Sequence, residues 1–138
     1  MTVAFCLDDN NGMMFNGRRQ SRDRVLISDF VARAGNSRIW ISPYSEILFE
    51  GRTVTVDRDF MAKAARDDFC FAEDTDPARY SKRADRIIIY RWNRTSPFDT
   101  VFDTGVLKDF RLESRTDFAG SSHERITAEV YLRAKNGG

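Results

Sequence analysis

The chain opens on an unbroken apolar run, Thr2 to Leu7 (TVAFCL), and a run of this length without polar alternation predicts a strand covered on both faces. Asp8-Asp9-Asn10-Asn11-Gly12 follows at once and reads as a turn. Leu26, Ile27, Phe30, Val31 and Ala34 then recur at helical spacing, with Ser21 expected as the N-terminal cap and Gly35 as the C-terminal one. Arg38 to Ser42 is a second apolar strand, and Pro43 opens a helical turn through Leu48. Thr53 to Val56 reads as a short strand, and Asp57 as the cap of a helix that puts Phe60, Met61 and Ala64 on one face. Phe69 to Ala72 is a third apolar strand. Asp76-Pro77 starts a brief helix to Arg83, and Ile87-Ile88-Ile89 is the most strand-like core segment. Asp99 to Asp103, Phe110 to Ser114 and Arg125 to Arg133 alternate as antiparallel strands. Residues 134 to 138 are expected to fray.

Strands alternating with short helices and closing on a strand-only tail predict one α/β domain over residues 1 to 138. Its central sheet is mostly parallel with antiparallel C-terminal strands, about seven or eight strands in all, and it carries three or four short helices. Ligands in such sheets bind beyond the carboxyl ends of the parallel strands. Those ends carry Asp8-Asp9-Asn10, Ser42-Pro43-Tyr44 and Glu73-Asp74.

Composition narrows the function. The 138 residues hold 22 basic against 21 acidic side chains, a net charge of +1. That balance argues against a globally electropositive nucleic-acid binder. No apolar run approaches the roughly 20 residues of a membrane span, so no membrane partner is expected. Cys6 and Cys70 both lie in apolar runs and read as free buried thiols, which points to a reducing cytoplasm. A single histidine, His123, argues against multi-histidine metal chemistry, and no metal or cofactor is expected.

The densest chemical signal is Gly17-Arg18-Arg19-Gln20-Ser21-Arg22-Asp23-Arg24, where a glycine loop brings forked donors to the start of a helix. With free helix amides behind them, Arg18, Arg19 and Arg22 would make an anion cradle, with Tyr44 and Trp40 as its wall. Asp23 is either a cleft carboxylate gripping a pair of donors or an acid favoured by the helix dipole. Glu73, Asp74 and Asp76 read as a cap and a solvated loop before they read as a Mg²⁺ site. Tyr90-Arg91-Trp92-Asn93-Arg94 reads as a strand end rather than a base-stacking surface. His123, beside Ser121 and Ser122 with no nucleophile elbow, reads as a surface residue in a polar turn.

Four stretches in the same order resemble the dihydrofolate reductases: VAFCLDDNNGMMFN as first strand and loop, SRDRVLISDF as first helix, ADRIIIYRWNR as the Ala-Asp-Arg strand, and DFRLESRTDF with ITAEVYLR as closing hairpin. They cover about half of the chain. The resemblance implies a reduced form of that fold, with Asp23 within one residue of the family's substrate-binding carboxylate. It also implies an NADPH site built on a Gly-Arg-x-Thr turn and a Gly-Gly pair. Here the first turn reads Ser42-Pro43-Tyr44-Ser45 and the second Ala72-Glu73-Asp74-Thr75-Asp76, with no glycine and three acids. Carboxylates repel phosphates, so the cofactor site is expected to be lost. LDDNNGMMFNGRRQSRD also resembles small gut-clostridial proteins sometimes labelled ribonuclease Z. That label implies a zinc hydrolase, whose several ligands one histidine cannot supply.

The resulting expectation is a non-catalytic module on a dihydrofolate-reductase-like scaffold. It would bind a small anionic or nucleotide-like ligand, or a protein partner, through Asp23, Arg18, Arg19, Arg22, Tyr44 and Trp40. The alternatives are a divergent reductase or nucleotide-modifying enzyme, and a mobile-element-borne inhibitor of a host system.

Overall fold

A computed structural model describes residues 1–134; the rest of the expected frayed tail lies outside the described residues. The apolar run at the start forms β1 (Thr2–Leu7), and it lies in the middle of a seven-stranded sheet. Its parallel neighbours are β6 (Phe69–Phe71), with Val3 opposite Cys70, and β7 (Arg86–Arg91), with Val3 opposite Ile87. Outside β6 run β4 (Ile39–Ile41) and β5 (Thr55–Val56), both parallel. Outside β7 runs β10 (Ile126–Arg133), antiparallel to it, and beyond β10 the edge strand β9 (Phe110–Phe118), antiparallel to β10. The expected α/β domain with antiparallel additions is therefore present.

Two-residue periodicity divides β1 between two cores. Val3, Phe5 and Leu7 pack with Met13, Met14, Phe60, Met61, Ile87 and Phe102 on one face. Ala4 faces the other side with Leu26, Phe30, Ile41, Phe71, Ile88 and Tyr90. There the rings of Phe49, Phe69 and Phe71 meet Phe30 edge-on at 6.1, 6.0 and 5.3 Å. Two faces filled in this way explain why β1 and β7 carry no polar alternation.

The structure corrects three sequence expectations. First, the segment after β1 is more than a loop. Gly12–Phe15 (β2) and Arg18–Arg19 (β3) form a hairpin, and β2 also pairs with β8 (Thr100–Val101) in a separate three-stranded sheet. Asn16 and Gly17 both take positive φ, 52° and 70°, the geometry of a tight primed turn. Second, α1 (Arg24–Ala34) starts three residues after the expected Ser21 cap. Asp23 caps it, accepting from the Val25 and Leu26 N–H groups, while Gly35 ends it as expected with φ 57°. Third, Phe60–Lys63 (α2) is preceded by Asp59, and Asp57 instead accepts from Asp59 N–H and Lys63 Nζ. Asp76 caps Pro77–Tyr80 (α3) as the dipeptide indicated. Pro43–Phe49 is a 3-10 helix.

Candidate functional site

Three polar residues, Asp8, Ser42 and Glu73, follow the carboxyl ends of β1, β4 and β6, and all three are buried. Asp8 accepts from the backbone N–H groups of Asn10 (2.8 Å), Gly12 (2.7 Å) and Ser96 (3.2 Å) and from Gln20 Nε2 (3.1 Å). Its four bonds fix the turn and leave the carboxylate fully engaged. Ser42 donates to Asp74 at 3.1 Å.

Glu73 holds the turn after β6 together. Arg19 reaches it from β3 with Nε at 2.8 Å and Nη2 at 3.1 Å, and Ser45 Oγ donates to it at 2.7 Å. The same guanidinium donates to the Tyr44 carbonyl at 3.0 Å and lies 4.4 Å from the Tyr44 ring centroid. The Arg19 backbone N–H donates to the Tyr44 hydroxyl at 2.7 Å. The hydrogen bond to Glu73 holds the guanidinium's pKa above its ordinary value. Arg19 and Tyr44 are therefore brought together, but around an internal acid and not around an open pocket. The three-acid turn is also only partly a free negative surface: Glu73 is compensated, while Asp74 and Asp76 line an open groove with Arg58 and Arg79.

Asp23 is the most heavily used carboxylate. Oδ1 accepts from Val25 N–H (2.9 Å), Leu26 N–H (3.3 Å) and Ser121 N–H (2.9 Å), and Oδ2 from Ser122 N–H (2.7 Å). His123 Nδ1 lies 2.9 Å from Oδ2, and the other ring nitrogen, Nε2, lies 2.8 Å from Ser21 Oγ. Burial on its own would raise the carboxyl pKa. The bonds from His123, Ser121, Ser122 and Leu26 outweigh burial and hold it well below the usual carboxylate range. Trp92 stacks on the imidazole with centroids 4.6 Å apart and planes 24° apart. His123 is thus buried, which corrects the reading of it as a surface residue.

The arginines separate. Arg18 lines a groove of about 650 Å³ with Phe15, Asn16, Arg19, Gln20 and Ser96. Arg22 lies in another, of about 430 Å³, whose walls include Arg24, Ile27, Ile47, Leu48, Glu50 and the 121–122 turn. Among the described residues, Arg18, Arg22 and Arg24 form no ion pair. The helix amides expected to help them are occupied: Val25 and Leu26 donate to Asp23, and Arg24 N–H donates to Ser121 Oγ at 3.1 Å. Trp40 stands apart in the core, where its Nε1 donates to Asp68 at 2.9 Å. Ser21, expected only as a helix cap, bonds a histidine 102 positions away, and no local motif links the two.

Cys6 and Cys70 are free thiols. Burial raises both pKa values, that of Cys70 to about 12. Among the described residues, no three His, Cys, Asp or Glu side chains come together as a metal site, and no helix is long and apolar enough to cross a membrane.

No protein-family model matches the chain, and no curated protein matches it, so the ribonuclease Z resemblance has no support. Among solved structures, a dihydrofolate reductase from Enterococcus faecalis complexed with NADP(H) and RAB-propyl superposes with a TM-score of 0.70. It is 10% identical, with 97% of this chain and 96% of that one covered. At that identity the likeness establishes architecture alone: the chain has a dihydrofolate-reductase-like fold.

Proposed function

We propose that the chain is a binding module on a dihydrofolate-reductase-like scaffold, taking a small anionic ligand in the cleft between α1 and the Pro43–Phe49 helix. The supporting observation is the contrast between neighbouring charges there. Asp23 is engaged by five protein donors, whereas Arg22 and Arg24 are exposed cations without an acidic partner among the described residues. A carboxylate or phosphate would meet both guanidinium groups and the Ser121 and Ser122 turn, with Glu50 as an opposing carboxylate on the wall, and its apolar part would lie against Ile27, Ile47 and Leu48. Reductase chemistry is disfavoured because Arg19 and Ser45 both donate to Glu73 where the resemblance puts cofactor phosphates.

Thermal unfolding with increasing inorganic phosphate, or with nucleotides and pterins, tests this reading. A ligand at 100 times its Kd adds about 2.7 kcal/mol of stability. Arg22→Ala with Arg24→Ala should abolish the gain, while Arg18→Ala, in the other groove, should leave it. If no anion raises the melting temperature, the small-ligand reading fails and a protein partner gains. Oxidation of NADPH would favour the divergent reductase instead.

A further inference from the structure

We propose that Ser21, His123 and Asp23 form a nucleophile relay able to hydrolyse small carboxylic esters. The hydrogen-bonding chemistry sets its polarity. Asp23 already accepts four backbone N–H groups and is held ionised, so it can only accept from the imidazole. His123 Nδ1 must therefore carry a proton at 2.9 Å, so that whenever the ring is neutral Nε2 is an acceptor 2.8 Å from Ser21 Oγ. A buried acid orients a base, and the base faces a hydroxyl: these are the roles of a serine hydrolase triad, recognised by geometry and not by fold.

Three further features suit the task. The ring is fixed by Trp92 on its face and by Asp23 on its edge. Ser21 is only half-buried and so can be reached. Arg22, the residue after the nucleophile, is exposed, and its backbone N–H has no protein acceptor among the described residues, so amide and guanidinium are both available to an oxyanion. Arg22 also begins the cleft wall that continues to Ile27, Ile47 and Leu48, a surface suited to a short apolar acyl group.

In the reaction, Ser21 Oγ attacks the ester carbonyl carbon and its proton passes to His123 Nε2. The tetrahedral oxyanion collapses, the C–O bond to the alcohol breaks, and the leaving oxygen takes the proton from Nε2. A water then gives a proton to the same nitrogen and attacks the acyl-serine. Collapse releases the carboxylic acid and restores the Ser21 hydroxyl. This activity would replace the non-catalytic expectation, and it does not rest on anion binding.

Phenylmethanesulfonyl fluoride and p-nitrophenyl acetate test the relay on the intact chain. The sulfonyl fluoride should add one group to the Ser21 peptide by mass, with loss of fluoride, and nothing to that peptide in Ser21→Ala. Ester hydrolysis should be at least tenfold faster in the unmodified protein than in Ser21→Ala. In Ser21→Cys, iodoacetamide should alkylate residue 21 at pH 7 at least tenfold faster than it alkylates glutathione, because the histidine would draw off the thiol proton. Absence of the Ser21 adduct, hydrolysis unchanged in Ser21→Ala, or ordinary alkylation of Cys at position 21 would each overturn the proposal. Because no arm depends on phosphate, its failure is distinguishable from failure of anion binding.

Discussion

Gly120 lies against the Asp23 carboxylate so closely that a β-carbon there would overlap Oδ2 and stand 2.9 Å from Cγ and from Ile126 Cδ1. The backbone of the turn before β10 thereby presses onto the cap of α1, with Ser121 and Ser122 N–H donating into the same acid. Gly120→Ala should cost roughly 1–3 kcal/mol, the usual penalty for crowding a packed site. Urea unfolding checks this. The variant should also lose ester hydrolysis if the turn carries His123 away from Ser21.

Acid should loosen the same junction. The folded-state carboxyl of Asp23 titrates below its unfolded value of 3.8, so its stabilisation is complete above that value and is lost as the pH falls below it. Melting temperatures followed from pH 6 to pH 2.5 should fall in the lower part of that range. Asp23→Asn, which keeps the shape but not the charge, should start less stable and show a shallower fall.

The Arg19–Glu73 pair makes an asymmetric prediction. Glu73→Ala strands a guanidinium whose side chain is only 19% exposed, and should cost about 3 kcal/mol. Replacing both at once, Arg19→Met with Glu73→Leu, should recover most of that loss, since no uncompensated charge is left behind. Denaturant midpoints of the two variants decide it, and equal losses would mean that the pair itself carries the stability.

At the β2–β3 hairpin, Gly17 has φ 70° with open space where a side chain would go. Gly17→Ala should therefore cost about 1 kcal/mol through backbone strain alone. Calorimetry should show this loss without a change in phosphate response at Arg22.

The fold was largely legible because both faces of the central strands are buried, so Thr2–Leu7 and Ile87–Ile89 carry unbroken apolar signals. The Asn16-Gly17 turn was not read: two primed-turn residues follow Met13-Met14-Phe15, but the arginines beyond them drew the reading toward a glycine loop. The site was less legible. Asp23 stood out through its place near a helix start and through the reductase resemblance; the structure shows it as the cap of α1, with partners from residues 121–123 that no local pattern announces. Arg19 looked like its neighbours Arg18 and Arg22; what separates them is a strand's alternation, which turns Arg19 inward to Glu73 and leaves Arg18 exposed.

The central place of β1 also sets an order of events during synthesis. Val3 pairs with Cys70 on one side and Ile87 on the other, and no nearer segment offers either backbone edge a partner. At about 5–20 residues per second, the ribosome needs on the order of ten seconds to deliver β7 after β1 has emerged. Both edges stay unpaired until β6 emerges and one of them until β7 does, so an apolar strand waits with an open edge, prone to association with other chains. The hairpin at Asn16-Gly17 can close within microseconds of its synthesis and, through Met13 and Met14, give one face of β1 an early cover.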